Sequence, residues 1–569
     1  MTGINTNKFD YVEYIVFVAS LTLSALIGCY FGFIKGGQNT VSGYLLGGKK
    51  MTAFPVGMSL ISSYISGITL LGVPTEIYTY GTQFLTSIIP YGIVALLITY
   101  LVLPVFFKLQ LISLYEYMEL RFSHAVRLMA SLLYILQLLA YVPIVIYGPA
   151  LALNQVSGMN IHIITPIVCT VCIFYTSLGG LKAVVWSDTL QGTVMIGSVL
   201  AVLFLGLQQV GGIHEVIQSS WEGDRLEMFN MDINPTTRLS FWSATFAFIF
   251  FWLANFAFSP ASVQRYISLP TFRQACLATI CLCIGVTGFT AACGFIGLII
   301  YTKYKGCDPL TSKAISRADQ ILPLFVLDVA GHIRGFSGLF MAGVVCAALS
   351  SMSTALNTVA GTIYEDFVEP MLSEKPTEKK ASLIMKGIVI LFGIICTFLV
   401  FICEHLGPLI ELATGFVGMS VGTTLGVFLL GMFFPCANTK GTIVGGVISI
   451  IFMMWLVIGN AIYTAKGLIK HPTKPISTEM CSNMTLILSP SITKYQPSEV
   501  FPLYRISVFY YSPLGCLIVL SIGIIVSLLT ETKGQRKVNP DLLSPIVKYY
   551  SSRSKKEYNS VPLKPPTID

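Results

Sequence analysis

Gly343-Val-Val-Cys-Ala-Ala-Leu-Ser-Ser-Met-Ser-Thr-Ala-Leu-Asn357 lies inside a long apolar segment and carries Ser350, Ser351, Ser353 and Thr354, with no Lys, Arg, Asp or Glu. A helix of this composition presents neutral oxygens and small side chains, a surface that suits a monovalent cation. Ser350 and Ser351, a turn after the Ala347 carbonyl, offer a hard ion several oxygen ligands if another element faces them. The plainer reading is packing. Ser and Thr in membrane helices commonly bond back to the carbonyl four residues earlier, or serve as small residues between helices.

Composition sets the surroundings of that stretch. The 569 residues are 54% hydrophobic and only 11% charged, whereas a soluble domain carries about 25% charged residues. Apolar runs long enough to span a bilayer recur about thirteen times, near 12–34, 52–79, 84–107, 128–156, 162–178, 188–210, 240–262, 275–301, 336–363, 384–403, 408–434, 442–463 and 507–530. The chain therefore reads as an all-α polytopic membrane protein over residues 1–530, with a polar tail at 531–569. Nothing between the runs is long enough for a separate globular domain. The first run lacks a small-residue cleavage site and is longer than a signal core, so it reads as a retained span.

The net charge of +8 does not point to nucleic acid, because the basic residues sort by loop. With the N-terminus outside, the short cytoplasmic loops hold Lys49, Lys50, Lys108, Arg121, Arg127, Lys182, Arg265 and Lys440 among others, and the short outer segments hold only Lys8. This is the positive-inside pattern, with the C-terminal tail in the cytoplasm. On this reading every Lys and Arg sits in a loop or at a membrane edge. Most of the 14 cysteines fall in spans and read as small apolar packers. Cys307 and Cys481 fall in long outer loops where a disulfide is permitted, and Asn483-Met-Thr485, the one N-x-S/T sequon without an intervening proline, shares the second of those loops.

Two spans look irregular. The second contains Ser62, Ser63, Gly67, Gly72 and Pro74, which argues for a helix broken near mid-membrane with carbonyls freed for another partner. The seventh contains Trp252, Asn255 and Pro260. Counted from the second span, irregular segments open two runs of five, about 52–210 and 240–434. Such internal symmetry points to an inverted-repeat transporter with its site between the two broken helices.

Other features have milder readings. Ser113-Leu-Tyr-Glu-Tyr-Met-Glu-Leu-Arg-Phe122 suggests an interfacial helix, and Tyr134, Gln137, Tyr141 and Tyr147 form a polar-aromatic stripe on the fourth span. Ser187 can cap the sixth span, setting Asp188 at that helix's positive end. Gly418-x-Ser420-x-Gly422 matches a hydrolase elbow but sits in an apolar helix without the strand-turn-helix context. With no H-E-x-x-H cluster and no nucleophile-base pairing, an enzyme is not expected. A sensor or binding scaffold without net transport, or a channel, are the rival classes.

Leu71-Gly-Val-Pro-Thr-Glu-Ile-Tyr-Thr-Tyr-Gly81, Tyr115-Glu-Tyr-Met-Glu-Leu-Arg-Phe122, Leu178-Gly-Gly-Leu-Lys-Ala-Val-Val-Trp-Ser-Asp188, Val263-Gln-Arg-Tyr266 and Leu349-Ser-Ser-Met-Ser-Thr354 together resemble the sodium/solute symporter family. Within it they look closest to the animal carriers of monocarboxylates, of carboxylated vitamins and of iodide. The resemblance implies two inverted five-helix repeats and sodium as the co-transported ion. It implies a sodium site at the backbone carbonyls of Ser62, Ile65 and Ala347 with the hydroxyls of Ser350 and Ser351, and a second at Ser63, Asp188 and Gln191. It also implies a plasma-membrane carrier of a small anionic solute, with a pocket at Thr69, Tyr141, Trp252, Phe256 and Phe416. The chain departs from the family where a polar amide is expected at the seventh-span break, carrying Ser259-Pro260 instead.

Overall fold

A computed structural model describes residues 9–34, 40–49, 51–111, 113–374, 376–403, 409–481, 500–531 and 538–553. Among them the fold is helical throughout. Ten helices are long and apolar enough to cross a membrane, and two further spans are bent pairs: Ala53–Tyr64 with Gly67–Tyr80, bent by 53°, and Ser243–Ala257 with Pro260–Ile267, bent by 51°. One of the ten, Ile161–Val210, has 50 residues. At 1.5 Å per residue it would run roughly 75 Å, more than twice the hydrocarbon core of a bilayer. It turns instead at Gly180, whose φ of 53° and ψ of −155° lie in a region essentially open only to glycine. It therefore supplies the fifth and sixth spans, and the total is thirteen.

The break at Gly180 corrects the expectation for Ser187. The sixth span has begun two turns earlier, so the Ser187 hydroxyl donates to the Val184 carbonyl at 3.0 Å and Asp188 lies inside the helix, wholly buried. The chain reaches solvent-distant depth at Asp188 because the break precedes it.

The described spans fall into two series of five, each opened by a bent pair. In the first come the second span, Thr82–Leu109, His124–Ser157 and the two halves of Ile161–Val210; in the second the seventh span, Phe272–Tyr304, Phe336–Met371, Glu378–Cys403 and Leu409–Phe433. The first span, Tyr11–Ile34, packs across the fifth, sixth and ninth. Its Glu13 accepts the backbone N–H of Gly335 at 3.0 Å, a carboxylate at the positive end of the ninth helix. Thr439–Ala465 and Val508–Leu529 complete the bundle against the eleventh span. Leu383, Leu391 and Phe398 project from the tenth span, each more than 60% exposed, as an apolar face against lipid requires.

Pro74 sits inside Gly67–Tyr80 rather than at the break. The turn falls at Ile65, which is extended (φ −90°, ψ 97°). A Cβ on Gly297 of the eighth span would lie 2.7 Å from the Pro74 carbonyl, so that span fits the second only because glycine stands there. At one end of the molecule Cys307 and Cys481 form a disulfide with Cα atoms 5.1 Å apart. Asn483 lies outside the described residues.

Candidate functional site

Where Ala53–Tyr64 stops, its last carbonyls lose the N–H donors that a continuing helix would supply. Ser66 starts the next arm by accepting the Ile68 N–H at 3.2 Å. The Ser63 carbonyl receives the hydroxyl of Ser351 at 3.1 Å, and that hydroxyl stands 3.2 Å from the Ala347 carbonyl on its own helix. The hydroxyl stretch of the ninth span thus lies directly on the turn of the second. Ser62, Ile65, Ala347 and Ser350 are fully buried, and Ser351 nearly so. The Ser62 and Ser350 hydroxyl oxygens have no hydrogen-bond partner. Ser62 points toward the sixth span, where a Cβ on Gly192 would come within 3.3 Å of its oxygen.

Beside this turn lies a buried ion pair that sequence reading missed. Asp188 Oδ2 accepts from Ser59 at 2.6 Å, from Ser63 at 3.3 Å and from Arg265 at 3.1 Å. Arg265, 1% exposed, also donates to Thr354 at 2.6 Å, to Ser63 at 3.0 Å, to Ser59 at 2.8 Å and to the Ala261 carbonyl at 2.8 Å. The expectation that Arg265 occupies a cytoplasmic loop, and that every cation lies in a loop or at an edge, is corrected. Helix restarts at Pro260 and runs to Ile267, carrying Arg265 inward to the core. Ions at this depth lose several kcal/mol each in hydration, and charge-assisted hydrogen bonds around the guanidinium and to Asp188 Oδ2 offset that cost.

Gln191 is a turn beyond Asp188. Its Nε2 donates to Ser24 of the first span at 3.0 Å, while Gln191 Oε1 and Asp188 Oδ1 are buried without partners. Ser63 and Asp188 are therefore in contact, Gln191 is tied to the first span, and Arg265 stands among them. The two broken spans are joined by Tyr64, whose hydroxyl donates to the Asn255 carbonyl at 2.5 Å and lies 2.6 Å from Ser262 Oγ.

A cleft of about 150 Å³ opens beside the clasp. Thr69, Tyr141 and Trp252 line it, as do Ser63, Ser351 and Thr354, so one wall is shared with the hydroxyl site. Trp252 Nε1 is buried without a partner. Phe256 lies behind the wall, wholly buried, with its ring 5.0 Å from Trp252 and 4.8 Å from Tyr64. Phe416 is not at the cleft: it packs with Met453, Leu456, Val457 and Tyr511. Its helix turns Thr414 and Val417 toward the cleft, and a residue two positions after Thr414 falls on the opposite face. Sequence reading missed Ser66, Asn255, Thr290 and Thr414 as lining residues. Ser66 and Asn255 were signalled by the breaks they flank, and Gln137 by its place one turn from Tyr141. No Lys, Arg, Asp or Glu lines the cleft among the described residues.

A cluster of aromatic rings adjoins the cleft wall at Ser259. Phe258 stacks on Phe428 at 4.7 Å, Tyr117 on Phe428 at 5.9 Å, and Phe106 meets Phe258 edge-on at 6.1 Å, all at most 2% exposed. Tyr117 belongs to the helix Glu116–Arg121, which buries Tyr117, Met118 and Arg121 against the protein and leaves Glu119 and Leu120 exposed. Arg121 holds it there by donating to the Gly431 and Phe434 carbonyls, each at 2.9 Å, so one face of the amphipathic pattern is satisfied by protein.

The family model described as "Sodium:solute symporter family" matches residues 44–449. The chain is similar to sodium-coupled monocarboxylate transporter 2 of Mus musculus, 38% identical over 96% of this chain and 88% of that protein. It is also similar to the sodium-dependent multivitamin transporter of Oryctolagus cuniculus, 34% identical over 95% and 86%. In fold it resembles a substrate-bound, outward-open Na⁺-coupled sialic acid symporter, with a TM-score of 0.74 at 24% identity, covering 93% of this chain and all of that one. A match across the clasp, both broken spans and the cleft leaves one conclusion: the chain belongs to the sodium:solute symporter family.

Proposed function

We propose that this protein imports a small organic anion, a monocarboxylate or a carboxylated vitamin, across the plasma membrane together with sodium. The observation that carries the reading is the shared wall: Ser63 and Ser351 belong both to the hydroxyl clasp and to a cleft without charged side chains. A carboxylate there has hydroxyls, the Trp252 N–H and the bound sodium as its attractive partners. Substrate affinity then depends on sodium, which is coupling in physical terms. The similarity to carriers of monocarboxylates and vitamins supports the same substrate class.

In this account sodium enters from outside and is held by carbonyls of Ser62, Ile65 and Ala347 and hydroxyls of Ser350 and Ser351. It joins the second and ninth spans and favours the outward-facing form. Substrate completes the site, the repeats taken as 52–210 and 240–434 rock against each other, and the Phe106, Tyr117, Phe258 and Phe428 cluster parts toward the cytoplasm. The N-terminus is outside and the C-terminus inside, which sets Asn483 and the Cys307–Cys481 disulfide on the glycosylated, oxidising face.

A second sodium is proposed at Asp188 Oδ1 with Ser63 and Gln191, because Asp188 Oδ1, Gln191 Oε1 and the Ser62 and Ser350 hydroxyls are buried oxygens without partners. Arg265 opposes that ion by Coulomb repulsion, so its hold is the weaker of the two. The energetics separate the cases. One sodium with a monoanion moves no net charge, and a tenfold gradient of about 1.4 kcal/mol concentrates substrate about tenfold. Two sodiums add a second gradient term and one net charge, worth about 1.6 kcal/mol at 70 mV, for an accumulation on the order of 10³.

The test is uptake into vesicles containing the purified protein, using labelled lactate-like acids, biotin-like vitamins and iodide, with sodium or choline outside. Accumulation of a carboxylate in sodium alone supports the proposal. Accumulation of iodide but no carboxylate selects an inorganic-anion carrier, binding without accumulation a sensor, and flux indifferent to the cation a channel.

A further inference from the structure

A second cavity, of about 470 Å³, lies at the end of the molecule that carries the disulfide. Its floor includes Tyr80 and Gln83, where the second span passes into the third, and the neighbouring Phe84 lines the first cleft. The walls are pinned by main-chain bonds. Lys474 N–H donates to the Thr79 carbonyl at 2.9 Å, Ser507 N–H to the Pro235 carbonyl at 2.9 Å and Phe241 N–H to the Asn230 carbonyl at 2.7 Å. The cavity is thus a built feature of three ordered segments, next along the chain to a wall of the substrate cleft.

Its charges are unbalanced. Arg238, Lys470, Lys474 and Arg505 line it against the single carboxylate of Glu227. Two of these cations are already matched: Arg238 is in a bidentate pair with Glu76, and Lys474 bonds Asp224 at 2.7 Å and Glu227 at 2.6 Å, which raise its pKa and hold it charged. Arg505 and Lys470 have no ion-pair partner among the described residues, and Arg505 Nε is buried without a hydrogen bond. A concave site lined by surplus charge of one sign focuses its field and raises the local concentration of the opposite ion. A guanidinium with free N–H groups matches a carboxylate in a planar, two-point fit.

We propose that this cavity is an outer anteroom that captures the carboxylate of the transported solute on Arg505, with Lys470 adding long-range attraction, before the solute descends to the cleft. The site is separate from the one where sodium acts. The proposal rests on the reading of the substrate as an anion that enters from this end.

The test compares wild type with Arg505→Gln, Arg505→Lys and Lys470→Gln in proteoliposomes, measuring initial uptake of a labelled monocarboxylate and of its neutral amide at 20 and 200 mM ionic strength, sodium held saturating. At low ionic strength Arg505→Gln raises KM for the acid at least fivefold while maximal rate and the sodium concentration for half-maximal uptake stay unchanged. Arg505→Lys recovers part of the loss, and Lys470→Gln, a change at an exposed side chain, raises KM about twofold. These differences shrink at high ionic strength, where the Debye length falls to roughly 7 Å. If wild type prefers the acid and both Gln variants keep its KM at both salt levels, the anteroom is refuted while the anion reading stands. If wild type takes up the amide as well as the acid, the anion reading itself fails.

Discussion

Asp188 and Arg265 show how much a single residue pair decides. Removing one partner leaves a charge buried and unpaired, at a cost of about 3–5 kcal/mol, so Arg265→Ala is expected to lower the thermal midpoint and the surface abundance sharply. Replacing both, as Asp188→Asn with Arg265→Gln, leaves neutral hydrogen-bonding groups and is expected to recover most of the abundance; equal loss in the single and double variants would mean that the pairing is not what holds this layer. Trp252 offers a second test at this scale. Its buried N–H has no protein partner, and Trp252→Phe keeps the ring but deletes the donor, a loss of about 1 kcal/mol that is expected to raise KM for an acid roughly fivefold, read from concentration dependence at saturating sodium. The sequence carried the hydroxyls plainly, since four Ser and Thr in an uncharged helix are conspicuous. It concealed Arg265, because a cation just past Ser259-Pro260 reads as the start of a loop, and only the restart of helix at Pro260 carries it inward.

Elements were legible where apolar length dictated them and obscure where a break did. Thirteen apolar runs are thirteen spans, yet the sixth begins at Gly180 rather than beside Ser187, since a glycine with positive φ leaves no mark on hydropathy. Gly180→Ala forces a side chain into a conformation that costs about 1–3 kcal/mol, so it is expected to lower the thermal midpoint of the purified protein. An unchanged midpoint would mean the break relaxes without the glycine. The docking of the helix Glu116–Arg121 was hidden for another reason. An amphipathic segment does not name the surface its buried face meets, and the Arg121 bonds to Gly431 and Phe434 that fix it join positions 310 or more residues apart. Phe416 failed for a similar cause: helix periodicity tells that Thr414 and Phe416 face apart, but not which of them faces the cleft.

Taken whole, the described spans form two series of five flanked by the first, twelfth and thirteenth, with loops pinned together at one end. The Cys307–Cys481 disulfide closes residues 174 apart in sequence, and Asp308 N–H donates to the Ser477 carbonyl at 3.0 Å, so the two loops at this end are tied into one unit. Replacing both cysteines by serine is expected to cost about 2–5 kcal/mol, visible as a lower thermal midpoint and as the loss of the mobility shift on reduction in a denaturing gel. A wild-type shift that is absent from the start would exclude the bond. In the proposed function the tie between the second and ninth spans, where the Ser351 hydroxyl meets the Ser63 carbonyl, is the element that couples ion to solute. The most direct measurement is sodium-dependent uptake by a Ser350→Ala, Ser351→Ala double variant in vesicles, with protein abundance quantified in parallel. The account predicts that half-maximal uptake requires at least tenfold more sodium at unchanged abundance; wild-type sodium dependence in that variant would contradict it.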